Sequence, residues 1–255
     1  MDASGAKGRT VARRTASRLA RRSGWRAIGR ALGSAACLAA CMGAGVAAAA
    51  ADAPQPGDAV ASSPAASPVL GPDEQVGWVT QGEWSRRWWE WALSFSNDIS
   101  PVADRTGAQC GNRQAGDVFF LAGTYGTART VRTCRVPADK YLFFPLINYV
   151  VKQAPGWNPS CADVTALAGR MTDGVAMLVL EVDGVRYAGL ERHRQLSPEC
   201  FNAYARYPGG ARAFPAASNG YYVMLKPLAR GRHTINFGGA LPDMSQAVSY
   251  TLIVD

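Results

Sequence analysis

The chain is poor in the residues that carry most enzyme chemistry. It holds two histidines in 255 residues, His193 and His233. A metal site would have to bring both to one carboxylate. No H-E-x-x-H helix, no G-x-S-x-G turn and no phosphate-cradling P-loop occurs, so those three catalytic constellations are excluded. No C-x-x-C pair occurs either, which leaves zinc without its usual cysteine spacing. Gly238-Gly239, after an apolar run, reads as a turn. Net positive charge is missing from most of the chain as well. Residues 1–50 hold nine Lys and Arg and one acid, Asp2, and the remainder carries 18 residues of each sign. The formal net charge of +8 therefore belongs to the N-terminal segment, and it argues against a nucleic-acid partner.

That segment reads as an export signal. A basic stretch over residues 1–30 is followed by the small and apolar run Ala31–Ala51. Together they describe a signal peptide over 1–51, with a cut near Ala51. Two other endings stay open. Leu38-Ala39-Ala40-Cys41 matches a lipobox, which would place a lipid on Cys41. The run is also about 20 residues long, enough to span a bilayer uncleaved. The expected location is the periplasm or the medium, or the outer membrane through a lipid on Cys41. Residues 52–77 are rich in Pro, Ala and Ser without apolar periodicity, and are expected to form a disordered linker. One domain is expected over 78–255, with no internal repeat.

The domain opens with a helix. Thr80-x-x-Glu83 reads as a capping box. Trp84, Trp88, Trp91 and Phe95 then recur on one helical face, with Trp89 directed elsewhere. Such a row marks a core-docked helix rather than an aromatic binding platform. A second short helix is expected over Ala162–Met171, with Ser160 or Asp163 near its start. Most of the remainder reads as strands: Val118–Ala122, Thr130–Val136, Tyr141–Ile147, Val175–Val182, Val185–Leu190, Tyr221–Leu228, Arg232–Phe237 and Ala247–Val254. Asp183-Gly184 between two apolar runs predicts a two-residue hairpin. About eight strands with few helices predict a mainly β fold, an antiparallel β-sandwich of jelly-roll or Ig-like type.

Cys37 and Cys41 lie in the export segment, which leaves Cys110, Cys134, Cys161 and Cys200 in the domain. An even count in an exported chain predicts two disulfides. Of the three pairings, Cys110–Cys134 with Cys161–Cys200 is preferred, because each bridge then joins segments flanking adjacent strands.

The run Cys110–Thr124 reads C-G-N-R-Q-A-G-D-V-F-F-L-A-G-T. Other pieces are Trp88-Trp89-x-Trp91, Asp104-x-Thr106-Gly107, Arg132-x-Cys134-x-Val136-Pro137, Phe143-Phe144-Pro145, Ser197-Pro198-x-Cys200-Phe201 and Gly231-x-His233-Thr234-Ile235. These resemble a family of uncharacterised bacterial exported proteins with a Trp-rich helix. The resemblance implies one exported, cysteine-bridged domain and brings no activity, cofactor or catalytic residue.

No catalytic, cofactor-binding or metal-ligating residue is assigned from the sequence. His233 shares a strand face with Ile235 and Phe237 and reads as half-buried. His193, in a charged stretch, reads as solvent-exposed, and Glu90 reads as an exposed partner of Arg86 or Arg87. The candidate ligand contacts are Trp157, Tyr204, Tyr207 and Phe214, mostly from a long aromatic loop expected over Phe201–Gly220. The expected function is a non-enzymatic extracytoplasmic domain binding a glycan or an envelope protein. A secreted hydrolase acting on polysaccharide and a structural envelope protein are the alternatives.

Overall fold

The computed structural model describes residues 67–125 and 128–255. The export segment, Cys41 and residues 52–66 lie outside them.

Helix α1 (Gln81–Ala92) starts where Thr80 accepts a hydrogen bond from the Glu83 amide at 3.2 Å. The expected box is only half made, because the Glu83 carboxylate turns to Arg86 and Arg87 instead. All four tryptophans of α1 are buried, Trp89 included, which corrects the reading that Trp89 points away. Every indole N–H finds an acceptor: Trp84 the Val76 carbonyl, Trp88 the Leu121 carbonyl, Trp91 the Asn112 carbonyl and Trp89 the Tyr222 hydroxyl. An indole buried with its N–H satisfied contributes on the order of 4–6 kcal/mol of gross transfer free energy. Helix α2 (Cys161–Met171) carries the full reciprocal box between Ser160 and Asp163.

Among the described residues, nine strands form two sheets. The first is ordered β1 (Val118–Phe120), β3 (Tyr141–Lys152), β7 (Ala216–Leu225), β6 (Arg194–Leu196). The second is ordered β2 (Thr130–Val136), β9 (Ser245–Val254), β8 (Gly231–Ala240), β4 (Met177–Val182), β5 (Val185–Arg186). Both sheets are mixed, which corrects the purely antiparallel expectation. β1 runs parallel to β3, and β2 parallel to β9. The physical reason is the connection: β1 and β3 are separated in sequence by β2, which lies in the other sheet, so no tight turn joins the two parallel neighbours. Between β4 and β5, Asp183 and Gly184 both have positive φ (49° and 80°), as the two-residue hairpin requires.

Alternate residues of the first sheet face two different cores. Leu142, Phe144, Tyr221, Val223 and Leu225 pack with Val182, Ile235, Phe237, Val248, Tyr250 and Leu252 of the second sheet. Phe120, Phe143, Tyr222 and Met224 pack on the other side against the tryptophans of α1. The order of layers is thus helix, sheet, sheet. Both expected bridges are formed, Cys110–Cys134 and Cys161–Cys200.

Several expected boundaries move: β3 runs on to Lys152, and β8 runs on to Ala240 through Gly238-Gly239, which corrects the reading of that pair as a turn. β7 begins at Ala216, so the loop before it ends well short of Gly220. Its first half, Ala-Ala-Ser-Asn-Gly, is buried on both faces and shows no alternation to read. The run expected over Val185–Leu190 stops at Arg186, and a 3-10 turn follows at Leu190–His193. The folded domain also starts before residue 78. Leu70 and Lys226 N–H groups bond the Met224 and Pro68 carbonyls, and Leu70 and Val76 are buried.

Candidate ligand-binding face

The segment between β6 and β7 is a tied loop. Cys200 bonds it to the first turn of α2. Phe201 pairs with Ala216 through two backbone hydrogen bonds of 2.9 Å. Asn202 acts as a clasp: its Oδ1 accepts from the Ala213 amide at 2.8 Å and the Tyr204 amide at 3.2 Å. Residues 204–212 therefore project as a closed lobe rather than a free strand of chain.

Three cavities adjoin this lobe and its stem. The largest, about 600 Å³, lies between the charged face of α1 (Glu83, Arg86, Glu90) and Pro198–Asn202, with Phe214 at its rim. The second, about 580 Å³, is lined by Gln153–Asn158 and Arg212 and includes Trp157. The third, about 270 Å³, holds Phe95, Tyr125, Tyr204 and Tyr207. The four expected aromatics are thus divided among neighbouring cavities and do not form one flat patch. Tyr204 and Tyr207 meet edge to face at 6.0 Å. Trp157, Tyr207 and Phe214 keep 38%, 37% and 42% of their surface exposed, so each ring still has area to offer a ligand. Cations cover part of the remainder: Lys152 sits over Tyr204 at 5.4 Å and Arg212 over Phe214 at 5.3 Å.

The α1 wall was not legible as a site. Arg86 reaches Glu83 through Nε and Nη2 and Glu90 through Nη1. Its hydrogen bonds hold the Glu83 carboxyl below the usual range even though burial works against them. Glu90 is buried rather than exposed, which corrects the sequence reading, and burial pushes its carboxyl up against the pull of Arg86. The signal in the sequence is the Glu83-x-x-Arg86-x-x-x-Glu90 spacing, which puts all three on one helix face.

The histidines lie apart in role. His193 is buried, with its Nδ1 lacking a hydrogen-bond partner among the described residues, which corrects the expected solvent-exposed position. Its 3-10 turn lies between β4 and β7, and the sheets exclude water from it. His233 is half-buried and hydrogen-bonds Asp183 Oδ2 at 2.7 Å and the Ala229 carbonyl at 2.8 Å. Among the described residues, no group of three or more His, Cys, Asp or Glu side chains is arranged to hold a metal ion.

Two other cavities offer less. On the outer face of the second sheet, about 340 Å³, a chain of hydrogen bonds runs Arg129, Ser249, Asn236, Glu181, Arg186, so these groups satisfy one another. Beside the first disulfide, about 500 Å³ is bounded by Gly111, Gln114, Gly116, Phe119, Pro137 and Asp255, with Arg135 paired to Asp255.

Among the described residues, no helix is long and apolar enough to cross a membrane. No protein-family model matches the chain, and no curated protein matches it. Among solved structures, the solution structure of amebosin aligns over 51% of this chain and 99% of its own length, at 9% identity and a TM-score of 0.18, an overlap that assigns no fold.

Proposed function

We propose that the protein is a non-enzymatic binding domain that works outside the cytoplasm and takes a glycan at the face built around residues 198–214. The scaffold reads as a β-sandwich, a mixed-sheet relative of the jelly-roll or Ig-like arrangements. The export reading draws on the N-terminal segment and on two disulfides, which persist in oxidising compartments. The resemblance to bacterial exported proteins points the same way.

One observation carries the ligand reading. A single tied loop borders three neighbouring cavities, and partly exposed aromatic rings stand in all three. Aromatic faces stack on the C–H faces of sugar rings, and the polar groups between them suit hydroxyls. The cavity glutamates also raise the hydrolase reading, since paired carboxylates cleave glycosidic bonds. Recognition is favoured because Glu83 and Glu90 are neighbours on one helix and share Arg86, so neither stands free to face the other across a scissile bond.

The test is a glycan array probed with the exported, disulfide-intact protein, followed by titration calorimetry and an assay for new reducing ends. Binding that weakens in Trp157→Ala, Tyr207→Ala or Phe214→Ala supports the reading. Release of reducing ends would replace it with the hydrolase.

A further inference from the structure

We infer that the smallest of the three cavities beside the lobe, the one that holds Phe95, Tyr125, Tyr204 and Tyr207, seats a single uncharged sugar ring, the terminal unit of the glycan. The inference rests on the glycan reading above and adds the ligand's charge and the way it is held.

The first observation is size and enclosure. The cavity measures about 270 Å³, against about 600 and 580 Å³ for its neighbours. Sites for drug-sized ligands run from about 300 to 1,000 Å³, so this one has room for one ring and little more. Its walls come from three separate segments: the end of α1 with the turn that follows it, Tyr125, and the lobe from Tyr204 to Ala211. The lobe wall is tied, because the Tyr207 amide donates to the Tyr204 carbonyl at 3.0 Å and Asn202 clasps the stem. A space walled by three segments suits the end of a chain better than a chain passing through.

The second observation is charge. The neighbouring cavities are lined in part by Glu83, Arg86 and Glu90 or by Arg212, whereas no charged side chain lines this one. Arg113 lies over the Phe95 ring at 4.9 Å and Lys152 over the Tyr204 ring at 5.4 Å. Neither cation lines the cavity, so each covers its ring from outside it. A ring that already holds a cation on one face offers a poor site for a second on the other, because the two cations repel. An anion would face electron-rich rings with no cation in the wall. An uncharged ring with C–H faces meets neither penalty. Polar groups for its hydroxyls are present. Ser100, 2% exposed, accepts from the Ala103 amide at 3.4 Å through a hydroxyl that keeps its own hydrogen to donate. Asn97 and the phenol groups of Tyr204 and Tyr207 supply further donors and acceptors.

The test is a ligand-observed NMR titration of the full exported protein near pH 6. The probes are the methyl glycosides of glucose, galactose, mannose and N-acetylglucosamine, with those of glucuronic acid and glucosamine as charged counterparts. At least one neutral glycoside is expected to bind about tenfold tighter than both charged ones. The linear dimer and hexamer of that sugar are expected to bind alike, within about twofold, because one end is seated whatever the length. Tyr207→Ala is expected to weaken binding about tenfold. Ala211→Trp, which fills the cavity from an exposed position and leaves every lobe hydrogen bond in place, is expected to weaken it by at least as much. Charged glycosides that bind as well as the neutral ones overturn the preference for an uncharged ring. A hexamer that binds about tenfold tighter than the dimer overturns seating by the chain end. Binding unchanged in Ala211→Trp overturns the choice of cavity. No response from any of the six glycosides sinks the inference, and the glycan array then decides whether the glycan reading falls with it.

Discussion

Arg132 donates from Nη1 to the Tyr250 hydroxyl at 3.0 Å while its guanidinium carbon lies 5.5 Å from the centre of the Tyr250 ring. Arg132 is 1% exposed and has no carboxylate in hydrogen-bond contact. Its other bonds go to main-chain carbonyls: Nε to Asp104, Nη1 to Ala122 and Gly123, and Nη2 to Val102. One cation on β2 thereby fastens the 102–104 and 122–123 segments to the second sheet. Arg132→Met should remove every donor at once and leave buried carbonyls unpaired, at a cost of about 3–5 kcal/mol. Tyr250→Phe loses one hydroxyl and should cost about 1–2 kcal/mol. The double variant should lose less than the sum, because both singles break the same bond. Urea unfolding with the disulfides intact measures all three, and a loss below about 1 kcal/mol for Arg132→Met would refute the fastening role.

Gly107 and Gly184 both sit at positive φ, 94° and 80°, yet they should respond differently to alanine. At Gly184 a Cβ meets nothing within 4 Å, so only the backbone preference is lost, about 1–2 kcal/mol. At Gly107 the same carbon would overlap the Thr133 carbonyl, and the Thr133 amide is bonded to Thr106 at 2.9 Å. β2 would have to move away from the 104–110 loop. Gly107→Ala should therefore cost more than Gly184→Ala by about 2 kcal/mol. Thermal melts of the two variants decide it, and equal shifts would show that the loop yields freely.

Legibility in the sequence followed locality. The helices, the Asp183-Gly184 hairpin and β2 over Thr130–Val136 rest on spacing within a few residues, and each is found where that spacing places it. The start of β7 and the pairing of Pro68 and Leu70 with it were hidden, because small residues buried on both faces leave no alternating pattern. The candidate site divides the same way. Trp157, Tyr204, Tyr207 and Phe214 stand out by composition and do border the cavities. Glu90 read as surface charge because it lies off the tryptophan row of α1. Residues 198–202, more than a hundred positions away, share a cavity with it and are held there by the Cys200 bridge and the pairing with Ala216, which no local spacing reveals.

The two bridges should differ in their response to reductant. Cys110 and Cys134 are buried in the core between the sheets, whereas Cys161 is exposed and Cys200 half-buried at the cavity beside α1. A thiolate must reach a sulfur to open a bridge, so access sets the order. Mild reduction followed by alkylation and mass spectrometry should label Cys161 and Cys200 first. Replacing both members of a pair with Ser should cost about 3–4 kcal/mol for either bridge, since the loops span 24 and 39 residues and the entropy grows only slowly with length. On the proposed glycan reading, loss of Cys161–Cys200 should in addition weaken binding, because it frees the segment that leads to Asn202 and Phe214.

His193 and His233 should pull the pH profile of stability in opposite directions. Burial, reinforced by the charge of Arg192, holds the His193 pKa below 6.5. Its neutral form is favoured in the fold, so its contribution is complete above about pH 6.5 and is lost as pH falls from there through the lowered value. Burial also opposes charge on His233, but the Asp183 hydrogen bond, the Ala229 carbonyl and the Asp183 charge outweigh it and raise its pKa above 6.5. That contribution is complete below about pH 6.5 and is lost as pH rises through the raised value. The chain has no other histidine. His193→Leu should therefore flatten the acid side of a plot of urea midpoint against pH, and His233→Gln the alkaline side, between about pH 5 and 8. Glu90, with its raised carboxyl, titrates in the parent and both variants alike, so the difference curves isolate the histidines. A His193→Leu protein that loses stability below pH 6.5 as steeply as the parent would mean that water reaches Nδ1 in the folded state.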